Sequence, residues 1–361
     1  MKKKKLKKIW IIIPIVLIVL LAYPTYLTVR IVSNNYEFNT VFDIVTKGLT
    51  DTVINNKYSK TLEVAIKNKS FNKDNVNSYL EINYHDKKDF INSINKLLAL
   101  GYSTTDINTI NDKLNDNTIE SLYKHDLIKD ISKYMEFDYF KSDNLYRYID
   151  YYTGDYKETV VYVNIGLDKK MYEDADVITK FDEAVLANKY HKLDESFVPD
   201  NLVQIKDSCS KNKSYLSKTA QVAFENMCDA AKEDGKNILS NSAYRSYKDQ
   251  QDVYDTYLSL YGQTYVDNYV AVPGFSEHQT GLALDVAAKG YSTFKTSPEY
   301  TWMLENAYKY GFILRYPKEK QEITGYKNEA WHFRYVGLEA AKYIQENNIT
   351  YEEYYVMFLD K

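Results

Sequence analysis

The sequence predicts an α+β fold for its last 170 or so residues, with helices packed on a small antiparallel sheet, preceded by a mainly helical module and one N-terminal transmembrane helix. Three observations carry that expectation. After Ser217, segments with helical periodicity alternate with short strand-like runs, an order that fits helices on an antiparallel sheet. Between Lys87 and Tyr152 the apolar residues recur at spacings of three and four. At the N-terminus a lysine cluster meets a long apolar run. With 361 residues, 45% hydrophobic and 27% charged, the chain is long enough for two or three domains and too apolar to be disordered.

The first eight residues, MKKKKLKK, are followed by IWIIIPIVLIVLLAYPTYLTV, which ends before Arg30. That length spans a bilayer core as a helix, and the lysines stay on the cytoplasmic side, which places the rest of the chain outside. No small-x-small cleavage site follows Leu21, so an uncleaved anchor over residues 1–30 is expected rather than a signal peptide. Residues 31–60 give no clear pattern. Phe90, Ile91, Ile94, Leu97 and Leu98 line one helix face, closed by Gly101. Ser103-Thr104-Thr105-Asp106 opens a second helix that carries Ile107, Ile110 and Leu114. Short amphipathic segments follow through Met135 and from Leu145 to Tyr152, and the run Glu158 to Ile165 (ETVVYVNI) reads as a strand. Similarity among the successive helices is too loose to define a repeat. A composition shift near Asn188 and the turn-rich DESFVPDNLV set the expected boundary, giving a module over 31–186 and a last domain over 187–361. Within that domain helices are expected over 217–233, 248–261 and 298–310, and strands over 238–243, 282–287 and 331–336.

The net charge is −4, or −10 once the six N-terminal lysines are set aside, which argues against nucleic acid as a partner. Cys209 and Cys228 either form one disulfide in an oxidising exterior or stay as two buried thiols. Five histidines occur, at 85, 125, 191, 278 and 332. His85, His125 and His191 have no partner motif. His278 lies in PGFSEHQTGLALDV with Asp285 seven positions on and Gly281 between them. His332 lies in NEAWHFRYVG, three after Glu329. Two histidines and one carboxylate fit a catalytic zinc, which takes three protein ligands and keeps one position open, and Glu329 is left over as a base. On spacing alone, two histidines satisfied in a core fit these segments as well.

Three segments in the same order and spacing, SAYRSYKDQ (242–250), PGFSEHQTGLALDV (273–286) and GFILRYPKEKQEITGYKNEAWHFRYVG (311–337), closely resemble the VanY-type carboxypeptidases. These belong to the zinc peptidases that act on bacterial cell-wall peptides. The resemblance covers about 170 residues and leaves the module outside it. It implies a zinc ion held by His278, Asp285 and His332, with Glu329 as general base. It also implies that Arg245 and Gln250 contact the substrate's terminal carboxylate or the developing oxyanion, a task suited to a planar guanidinium. Ser276 and Tyr316 match positions that hydrogen-bond the peptide.

The expected function is therefore zinc-dependent removal of the C-terminal D-alanine from peptidoglycan stem peptides on the outer face of the membrane. D,D cleavage is favoured over L,D cleavage of tetrapeptide stems. The rival readings are a cell-wall endopeptidase and a wall-binding scaffold with a vestigial zinc site. The residues identify no protein partner and no task for the helical module.

Overall fold

The computed structural model describes residues 22–173 and 175–360. The expected transmembrane run falls mainly on residues 1–21, outside the described ones. Among the described residues no helix is long and apolar enough to cross a membrane. The chain divides into two compact units, Met1–Glu136 and Phe137–Lys361.

The first unit is helical, including the stretch 31–60 that gave no pattern in sequence: Val41–Thr46, Thr50–Asn55 and the start of Lys60–Lys67 lie there. The two helices expected next are present as Phe90–Leu100 and Thr104–Lys113. Phe90, Ile91, Ile94 and Leu97 are buried, and Gly101 closes the first helix at φ 99°, where a side chain would be strained. Ser103 and Asp106 form a capping box on the second.

A repeat is present after all, written in hydrogen bonds. Asn95 donates to the carbonyl of Ser70 (2.6 Å) and accepts from Tyr79 Oη (2.6 Å) and Asn75 Nδ2 (2.8 Å), while Tyr79 Oη accepts from the backbone of Asn72. In the second unit Asn164 donates to the carbonyl of Tyr139 (2.7 Å) and accepts from Tyr148 Oη (2.7 Å) and Asn144 Nδ2 (2.9 Å), while Tyr148 Oη accepts from the backbone of Lys141. All five positions recur at one offset, Asn95 to Asn164 and Tyr79 to Tyr148 alike. Each asparagine locks a short helix and its entry loop onto the next helix. Residues 101–112 share the entry pattern but carry Ile110 where the tyrosine stands, so the sequence signal fades between the two preserved copies.

The expected strand over 158–165 is instead the helix Tyr156–Ile165. Its β-branched valines suggested a strand, but Asp155 caps the N-terminus and Gly166 the C-terminus, and the valines pack inward. The contact boundary also differs from the one expected at 186/187. Val161 and Ile165 share a buried cluster with Ile323 and with Val356 of the C-terminal helix Tyr351–Phe358. Lys141 pairs with Asp360 at 2.7 Å. Residues 137–186 therefore belong to the same packed body as the domain that follows them.

That body is α+β. A parallel ribbon joins β1 (Asp176–Ile178) to β2 (His191–Leu193), and an antiparallel one joins β3 (Leu202–Gln204) to β4 (Tyr215–Ser217). The main sheet is antiparallel, with β5 (Ile238–Ser242), β6 (Ala283–Ala288), β7 (Phe312–Leu314) and β8 (His332–Tyr335) in the order β5-β6-β8-β7. The helix Lys218–Glu233 buries Phe224, Met227 and Ala231 in a core shared with Leu284, Val286, Phe312 and Phe333 of the sheet. Cys209 and Cys228 form a disulfide that ties the loop after β3 to this helix. The helix expected over 298–310 is α-helical for Pro298–Asn306 and ends in a 3₁₀ turn, Ala307–Tyr310.

Candidate active site

The sheet places the first pair of chemical groups. Asp285 on β6 and His332 on β8 are direct cross-strand partners, and Asp285 Oδ1 lies 3.2 Å from His332 Nδ1. His278 arrives from the 3₁₀ turn Glu277–Thr280, which ends at Gly281 with φ 67°. A Cβ at Gly281 would stand 2.9 Å from Leu202 Cδ2 and 3.3 Å from the backbone nitrogen of Ser217, so a side chain here would push the turn off the sheet. His278 Nε2 comes within 3.4 Å of Asp285 Oδ1. The three ligand atoms all lie within 4.8 Å of one another.

The far side of each imidazole is also fixed. His278 Nδ1 donates to the carbonyl of Ala243, 2.7 Å away, which leaves Nε2 facing Asp285. That carbonyl is in place because β5 is irregular between Ser240 and Ser242, where Ser242 rather than its neighbour pairs with Asp285. His332 Nε2 faces Glu277 Oε2 at 3.3 Å, which leaves Nδ1 facing Asp285. Two imidazole nitrogens and a carboxylate oxygen converging, with the far nitrogen of each ring hydrogen-bonded, form a donor set that suits zinc with one open position. Cys209, Cys228 and Asp229 also cluster, but the disulfide removes the thiolates that a metal would need.

Electrostatics follow from burial. Glu329 is 6% exposed. With only the protein's own charges present, loss of solvation pushes its carboxyl up to about 8, against the opposing pull of His332. His278 is pushed down to about 4 by burial and by the Arg245 charge, so it is a neutral imidazole. His332 moves the other way, to about 9: burial opposes the shift, but the hydrogen bonds its ring donates to Asp285 and Glu277 outweigh it. A cation bound among these groups favours the ionised carboxylates and the neutral imidazoles.

The site opens on a cleft of about 600 Å³. Arg245, Gln250, Ser276, Tyr316 and Glu329 all line it. Arg245 follows β5 at the mouth of the helix Tyr247–Tyr261, with its ηN 3.9 Å from Asp285 Oδ2. Its Nε is buried and has no hydrogen-bond partner among the described residues. Gln250 holds Arg245 in place: its Oε1 accepts from Arg245 at 2.7 Å and its Nε2 donates to the carbonyl of Ala271 at 2.6 Å. Both ends of that amide are thereby engaged within the protein. Tyr316 lays its ring 4.9 Å from that of His332, and burial holds its phenol well above the usual range. Ser276 is buried at the start of the ligand turn. Trp331 is 39% exposed on the cleft rim. Sequence reasoning missed the Ala243 carbonyl and Glu277, which precedes a ligand in the motif but carries no spacing signal of its own.

A buried His-Asp-His centre with a carboxylate beside it, set in a cleft lined by a guanidinium group, defines a metallopeptidase-type site. The family described as VanY, D-alanyl-D-alanine carboxypeptidase, matches residues 213–338. The chain is 37% identical over 177 residues to a bifunctional D-Ala-D-Ala dipeptidase and D-Ala-D-Ala carboxypeptidase VanXYC of Enterococcus gallinarum, covering 47% of this chain and 92% of that protein. A putative carboxypeptidase YodJ of Bacillus subtilis (strain 168) is 44% identical over 179 residues, 47% of this chain and 66% of the relative. A D-alanyl-D-alanine carboxypeptidase of Enterococcus faecalis is 44% identical over 141 residues, 36% of this chain and 52% of the relative. Among solved structures, the LdcB LD-carboxypeptidase matches at 39% identity and a TM-score of 0.47, covering 52% of this chain and 92% of that one. A vancomycin resistance D,D-pentapeptidase VanY, solved as a mutant in complex with Zn(II), matches at 36% identity and a TM-score of 0.43, covering 48% and 98%. The chain belongs to the VanY family of D-alanyl-D-alanine carboxypeptidases.

Proposed function

We propose that the protein is a zinc-dependent D,D-carboxypeptidase that removes the C-terminal D-alanine from peptidoglycan stem peptides. The observation that carries this reading is the convergence of His278, Asp285 and His332 within 4.8 Å, with Glu329 and Arg245 on the same cleft. Zinc, held by those three side chains, would draw electron density from the attacking water and from the scissile carbonyl. Glu329 takes the proton of the water and passes it to the leaving amine. The Arg245 guanidinium, on the wall of the same cleft, pairs with the terminal carboxylate that distinguishes a carboxypeptidase substrate. Gln250 keeps that guanidinium aimed, and Tyr316 and Ser276 offer hydroxyls to the peptide backbone. The names of the Enterococcus relatives favour D,D cleavage.

An anchor over residues 1–30, with the catalytic body outside the cytoplasm, completes the proposal. The lysine-flanked apolar run and the Cys209–Cys228 disulfide support it. Zinc-loaded protein incubated with a muramyl pentapeptide and a tetrapeptide, beside Glu329→Gln, tests the activity by mass spectrometry. Release of D-alanine from the pentapeptide, lost in the variant, is expected. Preferential release from the tetrapeptide would replace D,D by L,D cleavage, and no release from either would overturn the carboxypeptidase reading.

A further inference from the structure

Behind the ligand His332 runs a chain of buried charges. Glu277 is 1% exposed and lies between His332 and two arginines. Its Oε2 faces His332 Nε2 at 3.3 Å, and its Oε1 accepts from Arg315 Nε at 2.8 Å and Arg334 ηN at 3.1 Å. Arg315 turns its remaining donors to Glu352, with both ηN groups on the two carboxylate oxygens at 2.9 and 2.6 Å. Glu352 lies on the C-terminal helix Tyr351–Phe358 and is itself fully buried. Tyr351 of the same helix covers both guanidinium groups, at 5.8 and 5.2 Å from its ring centre, and Asn188 donates to Glu352.

Two carboxylates and two guanidinium groups cancel in charge, so the cluster persists in a dry interior only because every partner is present. Glu277 Oε2 is turned toward the imidazole. A carboxylate that accepts the Nε2 proton leaves the Nδ1 lone pair facing Asp285 and makes the ring a stronger donor to a metal. Arg315 regulates how much negative charge Glu277 can offer, and Glu352 neutralises Arg315.

We propose that Glu277 is a positioning residue for the metal ligand His332, and that the C-terminal helix takes part in the metal site through Glu352 and Arg315. This rests on the zinc reading of His278, Asp285 and His332 and extends it to side chains that never touch the metal. Removal of the Glu352 charge leaves Arg315 to draw on Glu277 alone, which weakens the hold on His332 at a distance.

Zinc affinity of the full chain, measured by chelator competition, tests this without reference to catalysis. Glu277→Gln is expected to lower affinity roughly 10- to 100-fold, and Glu277→Ala further, since the amide can still accept from Nε2 but carries no charge. Glu352→Gln is expected to lower it by a smaller factor, and to have no further effect on zinc in the Glu277→Gln background, because both act through one chain. Circular dichroism of the metal-free variants separates loss of affinity from loss of fold, and Glu352→Gln stands in if a Glu277 variant does not fold. Unchanged affinity in folded Glu277→Gln or Glu352→Gln, or fully additive effects in the double variant, would overturn the proposal. A wild-type chain that fails to bind zinc would sink the underlying metal reading instead.

Discussion

Glu329 and His332 sit three positions apart on one loop-to-strand junction, yet burial and neighbours give them different tasks. Glu329→Gln keeps the shape and removes the carboxylate proposed as the base. We expect the rate of D-alanine release to fall by about 10²- to 10⁴-fold, with zinc content by mass spectrometry unchanged. A second expectation concerns protons. With only the protein's charges present, His332 stands at about 9 and Glu329 at about 8, so at pH 7 both hold a proton. Zinc binding requires the His332 Nδ1 lone pair, and the ion's charge favours ionised Glu329, so loading must expel protons. Apparent affinity therefore rises with pH through the neutral range and levels off above about 9. Titration calorimetry in buffers of different ionisation enthalpy would show net proton release at pH 7, and heats independent of buffer would contradict the assignment. These positions were singled out in sequence because the segments around them resemble the VanY-type carboxypeptidases, whereas their spacing alone fitted two core histidines as well. Glu277 was not, since its role comes from Arg315, Arg334 and Glu352, which only the fold brings to it.

At the level of elements, the regular segments of the second unit were readable where periodicity and caps agreed. The helix starting after Ser217 and the strands bearing Asp285 and His332 fall within a residue or so of expectation. The helix Tyr156–Ile165 was misread because three valines outvoted its capping residues. The repeat escaped because its signature is an asparagine paired with a tyrosine in another helix, a contact that has no local period. Asn164 satisfies three polar groups at once, so Asn164→Ala should cost about 1–3 kcal/mol. Asn95→Ala should cost a similar amount in its own unit, and chemical denaturation of both variants would test the equivalence. The disulfide closes a span of 19 residues, which by loop entropy contributes about 3 kcal/mol. Replacing both cysteines by serine should lower the thermal midpoint of the second unit while leaving the ligand distances intact, and retained zinc binding below the new midpoint would show it.

On the scale of the whole molecule, the boundary of the catalytic body is the point at which sequence and structure part furthest. The family resemblance begins near Asn188, and the family match itself spans 213–338, so sequence places the cut where similarity ends. Packing places it at Glu136. The C-terminal helix that carries Glu352 buries Val356 against Val161 and Ile165, and Lys141 pairs with Asp360 beside it. Cutting at 187 would strip that helix of its partners, exposing apolar side chains worth roughly 1.5–3 kcal/mol each when buried. The Glu352–Arg315–Glu277 chain then loses its outer support. A chain of residues 137–361 is therefore expected to fold cooperatively and bind zinc like the parent. One of residues 187–361 should unfold at lower denaturant concentration and bind zinc more weakly, even though it contains all three ligands and Glu329. Equal stability and zinc affinity in the two fragments would show that the helices before 187 are a neighbour of the catalytic body rather than a part of it.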